Sequence, residues 1–278
     1  MANSVDGTDV RFAFGKNWQR FLGYLDEERI AEAQRSLCEM LGADDLRGKS
    51  FIDVGSGSGL FSLAAMRLGA VRVHSFDYDP QSVACTQELR RRYFPTAANW
   101  TVEQASVLDE AYLCRLEHFD VVYSWGVLHH TGGMWQALEN VSVLLGPECK
   151  LFIALYNDQG RRSVAWRAVK RRYSAHPFWR PLLIAIFGAT MLTRGLVKDI
   201  LLLRNPFRRF QEYKKSRGMS YFIDLLDWLG GYPFEVARPE EVFDFFKARG
   251  FELMKLKTAG GGMGNNEFVF KKRGRPAS

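Results

Sequence analysis

The chain has 278 residues, of which 47% are hydrophobic and 25% charged, the composition of a globular protein with a real core: one large domain, or one domain carrying an insertion. Cys38, Cys85, Cys114 and Cys149 are scattered, with no CxxC and no histidine at metal spacing, so no metal is expected and the thiols read as those of a reduced, cytoplasmic protein. The net charge of +7 is uneven: residues 161–217 hold 15 Lys/Arg against two acids, and the rest of the chain holds 23 bases against 29 acids.

Residues 1–45 contain Phe12, Phe14, Trp18, Phe21 and Tyr24, followed by a helix predicted from about Asp26 to Leu41. The opening MANSVDGTDV has no basic region followed by an apolar stretch, so no secretory signal is expected. From 50 to 155 the pattern alternates strand and helix, as in a parallel α/β sheet. Strands are predicted at 50–54, 71–77, 100–104, 119–124 and 150–155. Helices are predicted at 60–68, 80–93 and 134–144, with a short turn at 109–116, and Gly146-Pro147 is expected to break the chain before the fifth strand. The order resumes with an amphipathic helix at 239–249, which has Pro at its start and Gly250 at its stop. A hairpin of strands 251–258 and 267–271 closes the chain.

Between these blocks, residues 156–235 form an insertion that is helical in pattern, basic and aromatic. Arg161, Arg162, Arg167, Lys170, Arg171 and Arg172 interleave with Trp166, Tyr173 and Trp179. The longest apolar run, 181–193, is too short to span a bilayer before Arg194, Lys198 and Asp199. Such a segment reads as a lid with a solvated basic face, as a surface for an anionic membrane, or as a binder of an anionic substrate. No nucleic-acid-binding module is visible in it.

The most informative stretch is Asp53-Val54-Gly55-Ser56-Gly57-Ser58-Gly59, directly after the apolar pair Phe51-Ile52. A glycine turn between strand and helix lets a ligand approach the backbone, and the helix start favours an anionic group. The dinucleotide fingerprint needs glycine at position 60, where this chain has Leu60. The second strand then ends Phe76-Asp77-Tyr78-Asp79-Pro80. An acid here, about 20 residues past the glycines, can accept both hydroxyls of a ribose. Asp77 is that candidate, and Asp79 is expected to cap the helix opened by Pro80. The third strand runs into Ser106-Val107-Leu108-Asp109, and the fourth into Ser124-Trp125-Gly126-Val127-Leu128-His129-His130.

Together these stretches resemble motif I and its companions in the class I S-adenosylmethionine (SAM) dependent methyltransferases, over roughly 50–155 and 236–272. The resemblance implies a Rossmann-like α/β fold, with a mostly parallel seven-stranded sheet and a closing antiparallel hairpin. Within it lie a core at 46–155 and 236–272, a cofactor-covering segment at 1–45 and a helical insertion at 156–235. It implies SAM as cofactor, with Asp53, Gly55, Ser56, Gly57, Gly59, Asp77, Tyr78, Ser106, Val107, Ser124 and Trp125 around it. The family usually has an acid at the position of Ser106, so adenine recognition departs from its pattern. Phe14, Lys16 and Trp18 resemble the aromatic element that covers the cofactor in ubiquinone-biosynthesis methyltransferases, and the Val-Leu-x-His element points to the same O-methyltransferase type.

Methyl transfer is an in-line displacement that needs alignment, exclusion of water and, for an oxygen nucleophile, removal of a proton. His129 and His130 are the candidate bases, since a histidine titrates near neutrality. Tyr156 and Asn157, at the end of the fifth strand, face the ligand crevice of an open α/β sheet, Tyr156 as a further catalytic candidate and Asn157 as a substrate contact. Trp228, Tyr232 and Glu235, around Gly230-Gly231, are candidate substrate walls. The expected enzyme methylates a small-molecule acceptor, anionic or lipid-linked, at a hydroxyl oxygen. Carbon, nitrogen or sulfur acceptors, or a non-catalytic SAM-binding protein at a membrane, are the alternatives.

Overall fold

The computed structural model describes residues 15–202 and 221–274. Phe12, Phe14 and the basic residues Arg204, Arg208 and Arg209 lie outside them, as does the side chain of Lys16. The chain forms two compact units, one of Phe14–Ser163 with Glu235–Ser278, the other built on Val164–Phe234.

The first unit begins with α1 (Gly15–Leu22) and α2 (Glu27–Leu41). It continues β1 (Ser50–Val54), α3 (Leu60–Arg67), β2 (Arg72–Asp77), α4 (Pro80–Tyr93), β3 (Trp100–Gln104), α5 (Glu110–Leu113) and β4 (Phe119–Trp125). A 3-10 turn at Leu128–His130, α6 (Met134–Ser142) and β5 (Leu145–Tyr156) follow. Past the excursion it closes with the helix α10 (Pro239–Lys247), β6 (Phe251–Lys257) and β7 (Asn265–Lys272). The strands make a seven-stranded sheet of order β3-β2-β1-β4-β5-β7-β6. All neighbours pair parallel except β7, which runs antiparallel to β5 and β6. This is the mixed sheet with a terminal hairpin that the sequence pattern predicts.

Strand alternation sorts the core into two layers. Ile52, Val54, Val122, Leu151 and Ile153 face one side, where Leu138, Val141, Val242 and Phe246 cover them. Phe51, Val73, Tyr123, Phe152 and Val269 face the other, under Ile30, Leu37, Leu63 and Leu89. The helix ends follow local chemistry. Asp26 caps α2 by accepting from the Arg29 N–H, and Gly42 closes it in a left-handed conformation, φ 60°.

One boundary differs. Gly146-Pro147 does not precede β5 but lies inside it, since Leu145 already pairs with Phe119 and the register resumes only at Val121–Lys150. Proline has no N–H to give the ladder, so the extra residues loop out as a bulge, with Glu148 at φ 64°.

The second unit holds the end of α7 (Arg161–Ala175), then α8 (Arg180–Leu201) and α9 (Tyr221–Gly230). Tyr173, Leu225 and Leu229 form its core, with Trp166, Val169, Leu183, Ile184, Phe187 and Met191 packed around them. Lys170 is fully buried; its ammonium donates to the Trp228 carbonyl and lies 4.2 Å above the Trp228 ring and 5.0 Å from that of Phe234. The apolar run at 181–193 does not stop at its charges, because Arg194, Lys198 and Asp199 are compatible with a helix and α8 passes through them. Pro177–Leu201, 25 residues, is long and apolar enough by length and composition to cross a membrane.

Candidate active site at the strand ends

The carboxyl ends of β1, β2, β4 and β5 carry most of the residues named above. At β1 the chain turns through Gly55, Gly57 and Gly59 with φ of 79°, 55° and 80°, a region that side chains disfavour. Space demands glycine as well. A Cβ on Gly55 would stand 2.3 Å from Val127 Cγ1, and one on Gly59 would stand 2.8 Å from Thr86 Cα. Gly55 and Ser56 both donate their N–H to the Phe76 carbonyl at the end of β2. Ser56 Oγ meets Thr86 Oγ1 at 2.9 Å.

Asp77 sits directly across this turn. Its carboxylate accepts from the N–H of Gly57 and of Asp79, each at 2.9 Å. Burial pushes its pKa up to about 6, aided by the neighbouring charge of Asp79, while the N–H donors pull the other way. A carboxylate with two N–H donors still has lone pairs for a vicinal diol. Asp79 caps α4 through the Gln81 N–H, as expected, and also accepts from the Gly15 N–H at the head of α1. That second bond places Trp18 over the glycine turn, its indole nitrogen 3.1 Å from where a Gly57 Cβ would be. Tyr78 is half exposed beside it.

Several expected ligand contacts prove to be internal. Asp53 shares the face of Phe51, so its carboxyl points into the core rather than the crevice. It accepts from Ser62 Oγ at 2.6 Å, and Ser62, Ser75 and the Trp100 indole N–H continue the chain of bonds. Burial pushes Asp53 up to about 7, against the Ser62 hydroxyl and with the charge of Asp77. Ser106 accepts the Leu108 N–H in a local turn, and Val107 packs into the core with its carbonyl held by Asn140. Asp109 caps α5 by accepting from the Tyr112 N–H. Ser124 is buried and donates to the Val54 carbonyl, whereas Trp125 is 42% exposed at the tip of β4.

The two histidines part company. His129 is fully buried and its Nδ1 accepts the Tyr156 N–H at 3.3 Å, with the two rings 3.9 Å apart. Its carbonyl accepts the Glu235 N–H. A ring so held ties β4 to β5, so the expectation of His129 as a base gives way to an anchoring role. His130 is only partly buried, its ring 4.4 Å from that of His129 and edge-on to Tyr156 at 5.4 Å.

The expected substrate contacts divide similarly. Asn157 donates to the Gly262 carbonyl and accepts from Asn266 Nδ2, tying the end of β5 to the 258–264 turn. Glu235 accepts the Met134 N–H with both carboxylate oxygens, at 3.2 and 3.1 Å. It caps α6, whose own N-cap position is Gly133 with no side chain to do so. Trp228 and Tyr232 belong to the helical unit, where Trp228 is held by Lys170 and edge-on to Trp166 at 5.3 Å. Strand alternation could have placed Asp53 from sequence; no local signal announces the Glu235 cap or the Trp18 cover over Gly57.

Residues 52–151 match a family model described as "Methyltransferase domain". Among curated relatives, the ribosomal protein L11 methyltransferase of Acinetobacter baylyi is 31% identical over 134 residues, covering 48% of this chain and 39% of that protein. That of Methylococcus capsulatus is 50% identical over 58 residues, 20% of each chain. The chain thus spans well under half the length of these relatives. They are also not the ubiquinone-type enzymes suggested by the Val-Leu-x-His element. Among solved structures, the magnesium protoporphyrin IX methyltransferase of Synechocystis PCC 6803 with bound SAM aligns over 98% of this chain and 100% of its own, at TM-score 0.55 and 12% identity. The [4+2]-cyclase SpnF aligns over 86% and 79% at TM-score 0.52 and 11% identity, so this likeness is one of fold. The glycine turn, the acid at the end of β2, the strand order and the family match converge: the chain carries a class I SAM-dependent methyltransferase domain, and the cofactor of that domain is S-adenosyl-L-methionine.

Proposed function

We propose that the chain methylates a hydroxyl oxygen of a small-molecule acceptor, with His130 as the general base. When bound, SAM supplies an electrophilic methyl on its sulfonium. In this reading the Gly55–Gly59 backbone and Asp77 hold the nucleoside, and Trp125 and Tyr78 flank it. The observation that carries the proposal is the His129–His130–Tyr156 cluster between the ends of β4 and β5. One histidine there is locked into the scaffold and orients the other, whose ring is partly open. A proton acceptor at the ligand-binding edge of the sheet is what an oxygen nucleophile requires. The surplus of bases in 161–217 supports an anionic or lipid-linked acceptor.

The names of the L11 relatives raise a protein acceptor, but their similarity covers only 20% and 48% of this chain. Incubating the enzyme with methyl-labelled SAM and a cell extract separates the two. Label in the small-molecule or lipid fraction, stable to mild base that hydrolyses methyl esters and lost on treatments that cleave methyl ethers, is expected. Label confined to ribosomal protein would reject the proposal.

The pKa of Asp77 makes cofactor affinity depend on pH. Only the carboxylate accepts both ribose hydroxyls, and burial raises the folded-state value from 3.8 to about 6. The ionised fraction therefore grows as pH rises through 6. Calorimetric affinity for S-adenosylhomocysteine is expected to increase between pH 5 and 7 and level off above. Asp77→Asn should bind more weakly and without that slope; an unchanged slope in the variant would assign it to another group.

A further inference from the structure

We propose that the outward face of α8 docks the helical unit onto an anionic bilayer surface, the helix lying in the interface rather than crossing it. This does not depend on the identity of the methyl acceptor. One side of α8 packs inward through Leu183, Ile184, Phe187 and Met191. The other side is apolar too and is open: Leu182 is 49% exposed, Ile186 47%, Leu196 47%, Val197 54% and Ile200 60%. At 100° per residue these positions fall on a single stripe running the length of the helix. Arg194 and Asp199 lie roughly a quarter to a third of a turn away from it, and Asp199 is buried in the unit.

The stripe has no unsatisfied polar group at its centre. Thr193 donates its hydroxyl to the Ala189 carbonyl at 2.9 Å and Thr190 to the Phe187 carbonyl at 2.8 Å, so both hydroxyls are satisfied within the helix. That arrangement suits hydrocarbon better than water.

Charge selects the occupant. Arg171, Arg172 and Arg180 are exposed on the same unit. The chain directly after α8 carries Arg204, Arg208, Arg209, Lys214, Lys215 and Arg217 with one acid, Glu212. An apolar helix face followed in sequence by a run of bases is the combination that anionic lipid attracts. Crossing the bilayer would require α8 to abandon its packing against Trp166 and Leu225 and to carry Asp199 into hydrocarbon.

Co-sedimentation with phosphatidylcholine vesicles, with and without phosphatidylglycerol, tests this on the whole chain. The protein should pellet with the anionic vesicles, at least about tenfold more tightly than with neutral ones, and release in high salt. Ile186→Glu with Val197→Glu places charges on exposed positions, so helicity and S-adenosylhomocysteine binding should persist while vesicle binding falls at least about tenfold. Four results would overturn the proposal: no vesicle binding by the parent protein, equal binding to neutral vesicles, unchanged binding by the variant, or a dimer in light scattering that the same two substitutions dissociate and vesicles do not.

Discussion

Replacing His130 with alanine is expected to lower kcat by about 10²–10⁴-fold, the usual contribution of a positioned general base, with affinity for S-adenosylhomocysteine unchanged. The ring is partly open, at the edge where strands deliver ligand-binding residues, and it is oriented by His129 and Tyr156. His129→Ala should behave differently. It removes the acceptor of the Tyr156 N–H from a fully buried position. The cost there is stability, about 1–3 kcal/mol for a buried donor left without its partner, readable as a lower unfolding midpoint. Measuring kcat, KM and thermal unfolding on both variants separates base from anchor. Undiminished turnover in His130→Ala would remove that residue from the mechanism.

Gly55→Ala should abolish measurable cofactor binding and destabilise the fold by about 2–4 kcal/mol, combining backbone strain with overpacking. The backbone stands at φ 79°, and the new methyl would fall 2.3 Å from Val127 Cγ1 and 2.9 Å from its Cβ. Val127 cannot yield freely, since it is the N-cap residue of the 3-10 turn carrying both histidines. The substitution therefore reaches His130 as well as the cofactor turn. Val127→Ala in the same chain removes the two nearest atoms but not the strain. A double-mutant cycle on unfolding free energy should show partial rescue. Binding by the single variant equal to that of the parent chain would mean that the glycine turn does not shape the site.

The parts legible in the sequence were those governed by local rules. The glycine spacing, the alternation of apolar residues and the Asp79-Pro80 helix start predict the sheet, the turn and the α4 cap with little error. The Gly146-Pro147 boundary is not legible in the sequence, because proline marks a bulge as readily as a break, and only the register with β4 decides between them. At the site, Asp77, Trp125 and His130 stand where their positions after strands imply. Strand alternation turns Asp53 away from the crevice toward Ser62, nine residues on, whereas Asn157 and Glu235 serve Asn266 and Met134, 109 and 101 residues away. A polar side chain near a site has competing uses, and its choice is settled by packing between distant segments.

The chain leaves the sheet at Asn157 and comes back beside its own point of departure. Asn157 bridges Ala237 in parallel, the Ala237 N–H donates to the Tyr156 carbonyl, and the Asp158 N–H donates to that of Ala237. The whole excursion hangs from a closed stem whose bonds belong to the sheet unit alone. Closure entropy grows only logarithmically with the length of such a detour. Residues in the detour can therefore be lengthened, exchanged or rewritten at little cost to the sheet that holds the stem. The sequence of the detour can thus diverge between descendants of this gene while the glycine turn and Asp77 stay unaltered, a modularity that the stem at 156–158 and 237 makes possible.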